Sequence, residues 1–480
     1  MQRRDFLNTT LAAALLLQVD APAFAKKVGK LGRARLKVGI LSDIHVKMND
    51  PGSVEMFEKA LNYYKDARVD AVLIAGDMAD TGSFRELKLV ADTWYRVFPG
   101  DRYPDGTPVE KLFIYGNHDI EAWKYSIYKK REDYQDFYSD RIALDKAKAW
   151  EEAFHEPWAP IYIKDVKGYK FIAGHYVNSK RIAGLKEFFR DHESELPGPG
   201  KPFFYFQHSH PKGTCSGPWV WGQDNGESPE ILSSYPNVVA FSGHSHTMLS
   251  DERVIWQGAF TSVGTASLSY VGGIGGRENS TTFFSSNTSP LQMPVVRCRE
   301  AHHGQLMTVY DDCITLQRHE FGRDEDLGEN WIIPIDVSRR TLTFESRAAQ
   351  DRAPRFRPGT TVSVRAHQGK DRSGASRKQL AVSFATAPRT GDTPRALDYE
   401  ICVEVEDVDT WKTVLTKRVY SPTVFMSEKA DAGGEAVCEF GLFELPQERP
   451  LRFAVRPCSC FGHKGEPVFS QTLTIDKQEA

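Results

Sequence analysis

Lys111-Leu-Phe-Ile-Tyr115 runs straight into Gly116-Asn-His-Asp119. A short apolar and aromatic run without proline reads as a buried β-strand, and the glycine at its end lets the chain turn at once into three polar groups. The same join recurs along the chain. Residues 36–42 (LKVGILS) lead into Asp43-Ile-His45, residues 71–75 (AVLIA) into Gly76-Asp77, residues 203–206 (FFYF) toward His208-Ser-His210, and residues 238–241 (VVAF) toward Gly243-His-Ser-His246. Helical patterns lie between them. Asp50 and Pro51 offer an N-cap and a first-turn proline to a helix with Val54, Phe57, Leu61 and Tyr64 near one face, and residues 84–97 repeat the pattern. Strands alternating with helices predict a layered α/β domain. In an open α/β sheet the C-terminal strand ends share one edge, so residues far apart in sequence are expected to meet in one crevice.

The residues arriving at that edge are Asp, His and Asn, hard and borderline ligands suited to Mn, Fe or Zn. Taken singly, Asp-x-His or Gly-Asp is most often a turn or a cap. Five such clusters, in order and each after a strand, point to a metal centre. His208 is preferred to His210 because it follows its strand directly, which leaves His210 to packing or substrate contact. His175, after the strand at residues 169–173, reads equally as a site residue or a hydrogen-bonded structural histidine. His302-His303 is expected in a solvated loop, and Gly272-Gly-Ile-Gly-Gly276 in a flexible one. The aromatics Trp123, Tyr125, Tyr128, Tyr134, Phe137, Tyr138 and Trp150 read first as helix packing and second as a stacking surface over the active edge.

The ordered set D-x-H, G-D, G-N-H-[DE], a lone His and G-H-x-H resembles the calcineurin-like metallophosphoesterases over residues 36–335. The resemblance implies a four-layer α-β-β-α sandwich with two di- or trivalent metal ions. Asp43, His45, Asp77 and His246 would hold one, and Asp77, Asn117, His208 and His244 the other. It also implies that His118 stabilises the transition state or protonates the leaving alkoxide, with Asp119 holding the His118 ring. Two cations about 3.5–4 Å apart need a bridging anion, which Asp77 can supply, and a hydroxide on the metals is a nucleophile at neutral pH. The implied activity is phosphoester hydrolysis by metal-bound hydroxide attacking phosphorus. Monoesterases and diesterases share these ligands. The alternative is a non-catalytic envelope-binding protein carrying a vestigial phosphoesterase domain.

Arg3-Arg4-Asp5-Phe6-Leu7, the apolar residues 11–17 and Ala23-Phe-Ala25 form the three regions of a signal peptide, with the adjacent arginines of a twin-arginine export signal. Cleavage near Ala25 would leave a soluble periplasmic or secreted protein with no transmembrane segment, after handling by the twin-arginine export machinery. Of 480 residues, 61 are Lys or Arg and 64 Asp or Glu, a net charge of −3 that gives no strong nucleic-acid-binding signature. Seven cysteines without CxxC spacing argue against zinc-ribbon and thioredoxin-like readings and leave room for one or two bridges near the C-terminus. After a basic, proline-containing stretch, short strands without helices predict a β-sandwich resembling immunoglobulin or fibronectin domains. The expected organisation is a signal peptide at 1–25, the phosphoesterase-like domain at 33–337, a linker at 338–358 and the β-sandwich at 359–480.

Overall fold

A computed structural model describes residues 31–130, 140–177, 181–217, 220–273, 296–370 and 374–477. The expected export segment, Tyr134, Phe137 and Tyr138 lie outside the described residues. The first region contains β1 (Leu36–Leu41), β2 (Ala71–Ile74), β3 (Glu110–Phe113), β4 (Ile161–Val166), β5 (Tyr169–Gly174), β6 (Phe203–Gln207), β7 (Val238–Ser242), β8 (Ile255–Gln257), β9 (Thr261–Gly264), β10 (Val271–Gly273), β11 (Val296–Cys298), β12 (His303–Val309), β13 (Cys313–Glu320), β14 (Glu325–Asp326) and β15 (Trp331–Pro334). One mixed sheet has the order β14-β13-β12-β1-β2-β3, with β15 on β13, and a second runs β4-β5-β6-β7-β9-β8. Strands β1 to β3 are parallel in the first sheet, and β5, β6, β7 and β9 are parallel in the second.

Alternation along the strands builds the layers. Val38, Ile40, Leu73 and Leu112 of the first sheet face Phe171, Phe204, Phe206 and Phe241 of the second in one core. The opposite faces carry the helices. Val72, Ile74 and Phe113 pack with Phe57, Leu61 and Tyr64 of the helix Pro51–Asp66 and with Leu87, Val90 and Trp94 of the helix Phe84–Val97. Phe203, Tyr205 and Val238 pack with Leu185 and Phe189 of the helix Leu185–Asp191. The result is an α-β-β-α stack. The loops after β1, β2, β3, β6 and β7 leave at C-terminal strand ends, and all five carry the polar clusters found in the sequence.

Beyond it lie β16 (Val362–Lys370), β17 (Ser376–Ala385), β18 (Asp398–Asp407), β19 (Thr410–Tyr420), β20 (Glu435–Gly441), β21 (Leu451–Cys458) and β22 (Val468–Phe469). They form antiparallel sheets of order β16-β17-β20 and β19-β18-β21-β22. Val382, Phe384 and Phe440 of the first share an apolar cluster with Ile401, Val403 and Phe453 of the second. This region is not hung on a free tether. Tyr420, at the end of β19, and Val424, Phe425 and Met426 just after it join the core between the two sheets of the first region.

The stretch 338–358, expected as a linker, holds the helix Phe344–Gln350, Arg340 Nη2 donates to the carbonyls of Pro236 and Ala259 at 2.9 Å, and Arg347 pairs with Glu252. All seven cysteines are free thiols. One sequence expectation needs correction. His302-His303 is not a solvated loop. His303 opens β12 fully buried, with Leu249 N donating to its Nδ1 at 3.2 Å and its Nε2 2.9 Å from the Phe425 carbonyl. Two adjacent histidines looked polar, yet each ring finds a backbone partner, His302 Nδ1 lying 2.7 Å from Leu268 O. No helix among the described residues is long and apolar enough to cross a membrane.

Candidate metal centre

The strand-end loops place seven donors in one pocket: Asp43, His45, Asp77, Asn117, His208, His244 and His246 are each between 0% and 7% exposed. Five of them, Asp43, His45, Asp77, His244 and His246, have φ between 48° and 72°, a left-handed region that costs non-glycine residues of order 1–3 kcal/mol when imposed by the surroundings. The loops turn that sharply because glycines beside them leave no side chain in the way. A Cβ on Gly116 would overlap Asp77 Oδ1, and one on Gly243 would overlap Ser42 Oγ and Asp43 Oδ2.

Three sets of donor atoms lie within 4.8 Å of one another: Asp43, His45 and His246; Asp77, His208 and His244; and His45, Asp77 and His118. Asp43 Oδ2 accepts from Ser42 Oγ at 2.5 Å and from the amide of His244 at 2.9 Å. Among the described residues its Oδ1 makes no hydrogen bond, although His246 Nε2 stands only 2.9 Å away. His45 Nε2 is 3.3 Å from His246 Nε2. Asp77 gives Oδ1 to the amide of His118 at 2.8 Å, and its Oδ2 lies 3.2 Å from His208 Nε2 and 3.8 Å from His45 Nε2. Asn117 Oδ1 is 2.9 Å from His208 Nε2.

Three of the imidazoles are turned so that Nε2 faces the cluster. His208 Nδ1 bonds the carbonyl of Ala75 at 2.7 Å, His246 Nδ1 that of Tyr270 at 3.1 Å, and His45 Nδ1 stands 3.4 Å from Asp80 Oδ1. The two carbonyl contacts favour the tautomers of His208 and His246 that present a lone pair inward. Buried charges of one sign need compensation. Burial opposes ionisation of Asp43 and Asp77, yet His246 beside the first and His208 beside the second hold both carboxyls well below the ordinary range. Burial likewise opposes charge on His208, and Asp77 outweighs it, raising that imidazole to about 9. Converging lone pairs, an unbonded buried carboxylate oxygen and a demand for positive charge fit a pair of cations.

The remaining sequence candidates separate. His210 stays out of the cluster, its Nδ1 2.7 Å from Ser242 Oγ and its Nε2 2.5 Å from Ser245 Oγ. His175 is a buried structural residue: Tyr115 N donates to its Nδ1 at 3.0 Å, and burial lowers its pKa to about 3. Gly272 and Gly273 belong to β10, and the rest of that glycine-rich run, residues 274–276, lies outside the described residues. Trp150 packs on Tyr115 and His175, whereas Tyr125 and Tyr128 meet His118 edge-on. The expected bond between Asp119 and the His118 ring is not made. His118 Nδ1 lies 2.7 Å from the carbonyl of Asp80. Asp119 instead accepts from the amides of Gly116 and Ala79 at 2.7 Å and of Met78 at 3.2 Å. Its carboxylate is thereby turned under the two loops, away from the neighbouring ring.

Sequence reasoning missed Asp80 and underweighted Tyr125. Asp80 shares a strand-end loop with Asp77, a second acidic residue three positions on, and that spacing was the available signal. Tyr125 accepts from Asn117 Nδ2 at 2.8 Å.

Residues 36–248 match the family model described as calcineurin-like phosphoesterase. Among solved structures, a dimetal phosphatase from Danio rerio is 12% identical over 63% of this chain and 100% of its own, with a TM-score of 0.37. A purple acid phosphatase, PPD1, from yellow lupin seeds is 13% identical over 65% of this chain and 57% of its own, TM-score 0.40. GAP50, the anchor in the inner membrane complex of Plasmodium, is 10% identical over 63% and 89%, TM-score 0.36. No curated protein matches the chain. The residues that match this family model include all five donor loops.

Proposed function

We propose that this protein is an exported, metal-dependent hydrolase of phosphate esters. The observation that carries the reading is the position of Asp77, whose Oδ2 lies 3.2 Å from His208 Nε2 and 3.8 Å from His45 Nε2, within reach of an imidazole from each proposed cation. Asp43, His45, Asp77 and His246 would hold one cation, and Asp77, Asn117, His208 and His244 the other, with Mn, Fe and Zn all compatible with the donors. When bound, the pair supplies an activated water and offsets charge on the phosphoryl oxygens.

The chain's own residues do the rest. With Nδ1–H of His118 given to the Asp80 carbonyl, Nε2 is the ring nitrogen left for the reaction, and it donates to the leaving oxygen when the imidazole is protonated at both nitrogens. Asp119 clamps the loop after β2 to the loop after β3, keeping Asp77 and Asn117 in fixed relation. The amides of Leu268 and Ser269, which bond the carbonyls of Ser42 and Asp43 at 3.1 Å, hold the first loop in the same way. Preorganised groups need little rearrangement when substrate arrives. Arg3-Arg4 and the apolar run after it support twin-arginine export to the periplasm or beyond, and the antiparallel C-terminal strands support an immunoglobulin-like fold analogy.

The test is a panel of chromogenic phosphate monoesters and diesters given to metal-reconstituted wild-type and Asp77→Ala protein. Turnover by the first and none by the second is expected, and the ratio of monoester to diester rates assigns the substrate class. A reconstituted wild-type protein inert toward every ester would overturn the proposal.

A further inference from the structure

A primary amide is a two-faced ligand. Its oxygen can bind a cation, its nitrogen cannot, and rotation by half a turn about χ2 exchanges them at little steric cost. Asn117 is the one amide among the seven donors, and its orientation therefore needs a cause outside the donor set. The structure supplies one. Asn117 Nδ2 donates to the hydroxyl of Tyr125 at 2.8 Å, while Oδ1 faces His208 Nε2 at 2.9 Å. Tyr125 is itself held: its amide bonds the Ala122 carbonyl at 2.8 Å, its carbonyl accepts from Tyr128 N at 3.1 Å, and its ring meets the His118 ring edge-on with centroids 5.5 Å apart.

We propose that Tyr125 is a positioning residue for Asn117, its hydroxyl taking the amide nitrogen so that the amide oxygen is presented to the cation shared with Asp77, His208 and His244. The inference rests on the proposed two-cation centre and adds a residue that no ligand motif contains. The same bond polarises the amide, since an N–H given to an acceptor leaves more negative charge on Oδ1. Outer partners of this kind typically change metal affinity ten- to a hundredfold.

The experiment is titration of metal-free protein with Mn²⁺ alone, read as two dissociation constants, for wild type, Tyr125→Phe, Asn117→Asp and the double variant. Phe keeps the ring contact with His118 and removes only the hydroxyl. Tyr125→Phe should weaken one Mn²⁺ site about ten- to a hundredfold and leave the other within about twofold. In Asn117→Asp either carboxylate oxygen can bind, so adding Tyr125→Phe should change little. Wild-type constants in Tyr125→Phe, or an equal loss in both backgrounds, would overturn the inference while leaving the metal centre standing. A wild-type chain that takes up no Mn²⁺ would overturn the centre and the inference together.

Discussion

His118 Nδ1 lies 2.7 Å from the backbone carbonyl oxygen of Asp80, and the Asp80 carboxylate stands 3.4 Å from His45 Nδ1. One residue thus orients the His118 imidazole and places a carboxylate beside an imidazole of the donor set. Burial lowers the pKa of His118 even though Asp77 pulls the other way. His118→Gln should keep its cations and lose about 10²–10⁴ in kcat, the usual size of a general-acid contribution. Steady-state kinetics beside metal analysis of the same sample checks this, and a parallel loss of metal would assign His118 to the ligands instead.

The Asp119 carboxylate is a structural clamp that takes three backbone amides. Burial, helped by Asp77, pushes this carboxyl up to about 7, yet the three donors need an acceptor whatever its charge. Asp119→Ala leaves them unpaired and should cost about 3 kcal/mol or more of stability, at roughly 1–3 kcal/mol per buried unsatisfied group. Urea unfolding of the metal-free protein measures it. A loss below about 0.5 kcal/mol, the range of a neutral surface change, would contradict the clamp.

Gly116 has an ordinary φ of −103°, so alanine there adds no backbone strain. Its Cβ would nevertheless press on Asp77 Oδ1. Gly116→Ala should therefore weaken metal uptake at least about tenfold, in line with disturbed ligand support, and Mn²⁺ titration reads the change.

His303 sits neutral between β12 and the segment after β19, with burial lowering its pKa to about 3. A histidine whose folded pKa lies below its unfolded value of about 6.5 contributes stability that is whole above pH 6.5 and is lost as pH falls toward 3. His175 adds the same trend. The urea midpoint should fall through this window in wild type, and the slope should flatten in His303→Gln.

Much of this was legible in the residues, because strand ends in a layered α/β domain are places where geometry and chemistry coincide. The runs before Asp43, Asp77, Asn117, His208 and His244 announced both the sheets and the donors. What escaped depended on partners distant in sequence. β12 joins β1 with Leu36 opposite Val309, a pairing no local pattern encodes, and its first residue looked like loop. β20 carried its own signal, alternating exposed and buried residues from Glu435 to Phe440, but it is short. The ring-holding role expected of Asp119 failed because side-chain direction, not adjacency, decides which group a residue reaches.

Quantitative metal analysis of protein reconstituted with Mn, Fe or Zn addresses the central claim most directly. The geometry calls for two equivalents per wild-type chain and for loss of the pair in Asp77→Ala, whose missing Oδ2 stands 3.2 Å from His208 Nε2 and 3.8 Å from His45 Nε2, one imidazole of each proposed cation. Retention of two equivalents by Asp77→Ala, or none in wild type, would contradict it.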